Sequence, residues 1–126
     1  MIDINALKTS LYNSISVAIT TYDAEADQDA DYPYAVYKLP SSFNGNKDNN
    51  QNIHFTMEID IWDQKRDASD IDHHCSVIDN TLSGSHVITE AFYYSLERIS
   101  PYMTIPDPRT DIQHRQIRYL VKVQFV

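Results

Sequence analysis

The segment from Ile53 to Asp63 constrains the fold more than any other part of the chain, because the hydrophobic period changes directly after it. Apolar and polar residues alternate along the segment, which is the two-residue repeat of a strand with one buried face. Apolar residues then recur at the spacing of an amphipathic helix, and Gly84 follows as a helix-ending residue. These helical positions are Ala68, Ile71, Cys75, Ile78 and Leu82. A strand followed by a helix predicts an α+β core.

Length and composition limit the classes to which the chain can belong. With 126 residues, 42% of them hydrophobic, a single packed domain over residues 1–126 is expected. The sequence has two glycines, too few for a glycine-rich phosphate loop, and no apolar run near the roughly 20 residues of a membrane span. One cysteine makes an internal disulfide impossible, so a reducing compartment is expected.

The net charge of −8 is unevenly distributed along the chain. Residues 1–108 carry six basic and seventeen acidic side chains, whereas residues 109–126 carry four basic and one acidic. A basic end on an acidic body suits head-to-tail contact between copies, and it is equally typical of an ordinary arginine-rich surface strand. Neither interpretation provides the dense basic face that DNA wrapping requires.

Periodicity along the whole chain predicts two helices and four strands. Their order is helix, strand, strand, helix, strand, strand, and an acidic linker at 23–31 joins the first helix to the first strand. The helices are predicted over about 3–22 and 67–82, the strands over about 32–39, 53–63, 86–100 and 117–125, and polar loops over 40–52 and 101–114. A four-stranded, mainly antiparallel sheet with two helices packed on one face would bury the apolar side chains of both.

Two patterns resemble metal sites and fail on their details. Acids stand at every second position of 23–31, as at the start of a calcium loop, but Gln28 replaces the required glycine and Tyr34 the required glutamate. Adjacent helical side chains point about 100° apart, so the run His73–Cys75 cannot converge on one ion. Cys75 also lies on the apolar stripe, which is typical of a core residue rather than a nucleophile. We therefore expect no metal and no cofactor.

Polar and aromatic residues on the predicted strands favour a surface over a catalytic centre. Glu58 and Asp60 are neighbours on one strand face, and paired carboxylates can perform acid–base chemistry, but the sequence implies no cleft around them. Nine tyrosines are typical either of an interface, where the ring buries area and the hydroxyl stays satisfied, or of strand propensity alone.

The order of these elements resembles the tail-terminator (tail-completion) proteins of long-tailed bacteriophages and prophages. The resemblance rests on Tyr32–Tyr37, which opens a strand with Tyr-Pro-Tyr, and on the alternating strand Phe55–Trp62. It continues with the helix that closes on Leu82–Gly84 and with the last strand, Arg118–Phe125. The stretch Pro108–Asp111 stands where that family has a phrase with arginine and aspartate.

The resemblance implies a structural virion protein and not an enzyme. Proteins of that family form a hexameric ring on the head-proximal end of the tail tube, stop tube polymerisation and present a surface to the head. The implied partners are further copies of the chain, the tail tube protein and a head–tail connector protein, with assembly in the host cytoplasm. DNA would pass through the ring without sequence-specific binding, and no membrane would be involved.

Candidate contact residues follow from this resemblance and from the loops and charges above. Contacts with neighbouring subunits or partners are expected at Phe43, Asn46, Lys47, Tyr102, Arg109, Arg115 and Arg118. Glu58 or Asp60 is expected to face solvent or the lumen of the ring.

Three alternatives stay open at this point. The chain is another neck or head–tail adaptor protein, a small metal-dependent enzyme that uses Glu58, Asp60 and a histidine, or an oligomeric binding module with a peptide partner. Adaptors of that kind are often rich in helix, so strand content separates them from terminators.

Overall fold

The computed structural model describes residues 4–27, 29–39, 52–64, 69–109 and 111–125. Within these ranges the chain forms two helices and seven strands. The helices are α1 (Ile4–Ser16) and α2 (Ser69–Leu82), and the strands are β1 (Thr21–Asp23), β2 (Tyr34–Lys38), β3 (Asn52–Gln64), β4 (His86–Ile88), β5 (Phe92–Arg98), β6 (Met103–Thr104) and β7 (Ile112–Phe125). None of the described helices is long and apolar enough to cross a membrane.

All the described strands belong to one mixed sheet that curls into a half-barrel. The strand order is β1-β2-β3-β7-β5-β4, and β6 pairs with the beginning of β7. β1 and β2 are parallel, and the other pairs are antiparallel. β3 and β7 pair at thirteen positions and form the centre of the sheet. Consequently β1 and β4 are the terminal strands of this order, and β6 forms a further short edge beside the start of β7.

The prediction of a four-stranded, mainly antiparallel sheet is wrong, because three short strands extend it. Their lengths are three residues for β1 and β4 and two for β6, and so short a segment gives no detectable period. The stretch predicted as one strand over 86–100 is a hairpin. Thr89 turns the chain there, since its hydroxyl accepts from the Phe92 amide at 3.1 Å and donates to the Phe92 carbonyl at 2.9 Å.

Helix α1 also ends earlier than the apolar stripe predicts. It ends at Ser16, and the β-branched residues that follow, from Val17 to Thr21, favour an extended backbone. Thr21 begins β1, and its hydroxyl donates to the Ile19 carbonyl at 2.8 Å. Thr21 and Tyr22, which the prediction assigned to the end of a helix, therefore lie in the edge strand β1, and residues 17–20 form the turn before it.

The core lies between the two helices and one face of the sheet, which we call the inner face. α2 ends before Gly84, whose φ of +73° matches the predicted helix-ending role, while Ala68 lies outside the described residues. The buried helical side chains are Leu7, Leu11 and Ile15 of α1 and Ile71, Cys75, Ile78 and Leu82 of α2. Along β3 and β7 the buried inner-face residues are Ile53, Phe55, Met57, Ile59, Ile61, Ile117, Tyr119, Val121, Val123 and Phe125.

Two buried tyrosines of the inner face reach polar partners on the helices. The Tyr119 hydroxyl donates to Asp79 Oδ1 on α2 at 2.8 Å, and the Tyr94 hydroxyl lies 2.8 Å from Ser10 Oγ on α1. Burial, with Asp79 as the next cause, raises the pKa of Tyr119 well above its ordinary value, so this phenol stays protonated and keeps donating. These hydrogen bonds fix both helices against the sheet.

Candidate assembly surfaces

The outer face of the sheet, which is turned away from the helices, carries the polar residues of the alternating strands. Direct cross-strand registers arrange them in rows. Glu58 lies between Lys38 and Arg118, and Trp62 lies between Tyr34 and His114. The outer face is therefore aromatic near the start of β7 and carries charged side chains farther along the strands.

An aromatic row crosses the outer face at this end. Tyr34 stacks on Trp62 with ring centroids 5.4 Å apart, and Trp62 stacks on His114 at 4.2 Å. Tyr22 and Tyr32 contact Tyr34 at 5.9 and 5.3 Å. Burial raises the pKa of Tyr34 above its ordinary value, so its hydroxyl stays neutral. Stacked, partly buried rings of this kind are typical of surfaces that bind other proteins, and they include three of the nine tyrosines of the sequence.

Asp60 lies beside the aromatic row and is buried, with 3% of its surface exposed. His114 Nε2 and Gln116 Nε2 lie 2.8 and 3.1 Å from its Oδ1 atom, and Lys38 Nζ lies 3.9 Å from Oδ2. A buried carboxylate needs such partners, because desolvation penalises an unpaired charge heavily. Asp60 therefore does not face solvent in the single chain, contrary to what the alternation suggests. The pairing of β3 with β2 and β7 brings these partners together, and the periodicity of the sequence does not show which residues pair.

Glu58 remains on the accessible part of the outer face. Its carboxylate lies 3.7 Å from Arg118 Nε, and the two side chains are 37% and 44% exposed. The predicted metal-dependent alternative needs Glu58 and Asp60 together. Both carboxylates already have cationic or hydrogen-bonding partners in this arrangement, so they do not form an open pair of metal ligands.

The other basic residues of the C-terminal region are mostly paired within the chain. Arg109 donates from Nε and Nη2 to the two carboxylate oxygens of Asp107 at 2.9 and 2.8 Å, and these hydrogen bonds lower the pKa of Asp107 to about 2. Arg115 is buried, and its Nε donates to Asp72 Oδ1 at 3.2 Å. Much of the predicted basic end is therefore neutralised intramolecularly, and Arg115 has little surface left for a neighbouring subunit.

The remaining predicted contact residues fall into two groups. Tyr102 is partly buried and packs against the hydrophobic core. Phe43, Asn46 and Lys47 lie outside the residues that the structure describes. Their predicted role as contact residues stays a prediction.

The run His73–Cys75 on α2 lies in surroundings that are typical of structural residues. Cys75 is fully buried, and burial raises the pKa of its thiol to about 12, so it is not a thiolate at neutral pH. His74 Nε2 lies 3.8 Å from Asp63 Oδ2. Across the described ranges, no group of three or more histidine, cysteine or acidic side chains is arranged to hold a metal ion.

Exposed apolar residues gather at the β4 edge of the sheet. Ile88, which ends β4, is 82% exposed, and Val17, which follows α1, is 81% exposed. Val17 lines a groove of about 710 Å³ that runs along α1 and the β4–β5 turn, with Asn13, Thr89 and Phe92 among its other lining residues. Large apolar side chains grouped around a groove are typical of a contact surface for another protein. The sequence gives no periodic signal for this edge.

Comparison with known proteins identifies the fold. No protein-family model and no curated protein matches the sequence. Among solved structures, the fold is similar to that of a chain in the virion of a native gene transfer agent particle, with a TM-score of 0.64. The match covers 90% of this chain and 84% of the other, with 14% sequence identity. The two chains therefore share a fold over nearly their whole lengths.

Proposed function

We propose that this chain is a structural protein of a phage or phage-like virion and that it acts as a tail terminator. The observation that carries the proposal is the fold shared with a virion component over 90% of this chain. The resemblance of its element order to tail-terminator proteins supports the finer assignment. In this role the chain forms a ring on the head-proximal end of the tail tube, stops polymerisation and presents a surface to the connector protein.

The shape of the sheet supports ring formation. A closed ring needs two different complementary patches on each subunit, and the β1 and β4 edges at opposite ends of one sheet are different surfaces. A sheet-rich body also agrees better with a terminator than with the helix-rich adaptor alternative. Six subunits are proposed from the resemblance alone. The net charge of −8 suits a ring through which DNA passes without being held.

Capping of tail tubes tests this proposal. The tube-forming protein from the same genome is polymerised alone, with this chain, or with an unrelated acidic protein of similar mass, and the tubes are examined by negative-stain electron microscopy. A terminator gives a ring at one end of each tube and stops elongation at that end. Tubes that keep growing at both ends, without rings, would contradict the terminator role. Binding to the head connector without tube capping would indicate the adaptor alternative instead.

A further inference from the structure

A basic patch lies on the outer face next to the β4 edge. Cross-strand registers place His86, Ser95, Lys122 and His54 in one row across β4, β5, β7 and β3. Lys122, His54 and Ser95 line a depression of about 200 Å³, and the half-exposed Tyr93 lines its side. We call the three bases, with Ser95 and Tyr93, the basic patch.

Lys122 differs from the other described lysines and arginines in its pairing. Each of the others forms an ion pair with a carboxylate of the same chain, namely Lys8, Lys38, Arg98, Arg109, Arg115 and Arg118. Lys122 has no such partner among the residues that the structure describes, and neither His54 nor His86 has one there. Lys122 thus gives the basic patch a positive charge that no described carboxylate of the same chain pairs, and the two histidines place further nitrogen atoms beside it.

The opposite edge of the sheet carries uncompensated acids. Asp23, at the end of β1, pairs with Lys8 at 3.3 Å. The carboxylates that follow are exposed and have no ion pair among the described residues, and they are Glu25, Asp27, Asp29 and Asp31. We call the described residues 23–27 and 29–31 the acidic segment. The acidic segment begins at the end of β1, whereas the basic patch runs across β3, β7, β5 and β4, so the two are separate surfaces of one subunit.

We propose that the basic patch of one copy binds the acidic segment of the next copy in the ring. This inference rests on the proposed function and assigns its subunit contact. Like patches repel, so the charges favour a head-to-tail contact over a two-fold dimer. One exposed ion pair changes an association constant by about fivefold or less, so the charges mainly set partner and register. Contact area comes from the exposed Tyr93 and Ile88 and from the alanines among the acids.

A charge-exchange experiment tests this contact. Variant one carries Lys122→Glu, and variant two carries Glu25→Lys, Asp27→Lys, Asp29→Lys and Asp31→Lys, which makes its segment positive. Alone, each variant sets like charges against each other at every contact, and we expect loss of rings in native mass spectrometry. In a mixture, contacts of variant one with variant two restore opposite charges in both directions. Equimolar mixing is therefore expected to give rings with equal numbers of both variants.

Controls separate this contact from folding and from net charge. The double change Ser76→Glu with Asn80→Glu adds the same two negative charges on the exposed side of α2 and should leave rings intact. The milder Lys122→Gln should raise the half-assembly concentration about two- to fivefold, as expected for one exposed ion pair. Far-ultraviolet circular dichroism checks the fold of each variant.

The outcomes distinguish the contact from the function. Wild-type rings with both charge variants also forming rings alone would overturn the contact and leave the proposed function standing. Loss of rings that mixing does not restore would overturn it as well, because the two surfaces would then not face each other. A wild-type chain that forms no ring, even on tail tubes, would overturn the proposed function together with this contact.

Discussion

The centre and the edges of the sheet differ in almost every physical property. β3 and β7 pair at thirteen positions, their inner-face side chains are buried, and the buried Asp60 on their outer face has three partners. β1 and β4 are three residues long, Ile88 at the end of β4 is 82% exposed, and the exposed acids Glu25, Asp27, Asp29 and Asp31 follow β1. Short edge strands resist indiscriminate sheet extension. The inner face of the central strands therefore holds the fold, while the sheet edges and the exposed part of the outer face are available to other molecules.

The largest expected difference is between matched isoleucines of the centre and the edge. Ile59→Ala removes a fully buried side chain from β3 and should lower the free energy of unfolding by about 2–5 kcal/mol. Ile88→Ala at the β4 edge should change it by less than about 0.5 kcal/mol, because Ile88 is 82% exposed. Urea unfolding of both variants at concentrations where the chain is monomeric measures the difference. Equal losses of unfolding free energy in the two variants would contradict the difference between the centre and the edge of the sheet.

A second pair of substitutions compares a buried carboxylate of the outer face with a partly exposed one. Asp60→Ala removes the acceptor of His114 and Gln116 and should cost about 1–3 kcal/mol of unfolding free energy. Glu58→Ala, at the neighbouring position on the same face of β3, removes a partly exposed ion pair with Arg118 and should cost about 0–1 kcal/mol of unfolding free energy. Chemical denaturation at neutral pH separates the two values. A larger loss for Glu58→Ala than for Asp60→Ala would contradict the assigned roles.

The smallest expected effect concerns β2, which lies between the centre and the β1 edge. Burial, and then the Asp23 carboxylate, raises the pKa of Tyr37 from 10.0 to about 12. Between these values the unfolded chain loses a proton that the folded chain keeps, so this contribution to stability is complete below pH 10 and is lost as pH rises toward 12. Urea unfolding from pH 9 to 11 should show a steeper decline for the wild type than for Tyr37→Phe. Identical declines of the unfolding free energy in the two proteins would contradict the raised pKa of Tyr37.

The same contrast explains what the sequence could predict. The alternation over 53–63 and 117–125 is strong because one face of β3 and β7 is buried along the whole length of both segments. The stripe of Ile71, Cys75 and Ile78 predicts α2 because one side of that helix is likewise buried along its length. β1 and β4 have no such signal, because three residues are too few to show a period. The thirteen-position register between β3 and β7, and not periodicity, brings His114 and Gln116 to Asp60.

The candidate surfaces were harder to predict because they depend on pairing between distant residues. Composition correctly shows four basic side chains after residue 108, but Arg109 and Arg115 are already paired with Asp107 and Asp72. The unpaired character of Lys122 therefore emerges only when the neighbours of each base are known. Exposure of Ile88 likewise depends on β4 being the last strand of the sheet.

Native mass spectrometry of the purified wild-type chain over a range of concentrations tests the central claim most directly. We expect a discrete ring, with six subunits as the resemblance implies, either in free solution at high concentration or on addition of tail tubes. A chain that stays a monomer or dimer at every concentration, with tubes present, would contradict it.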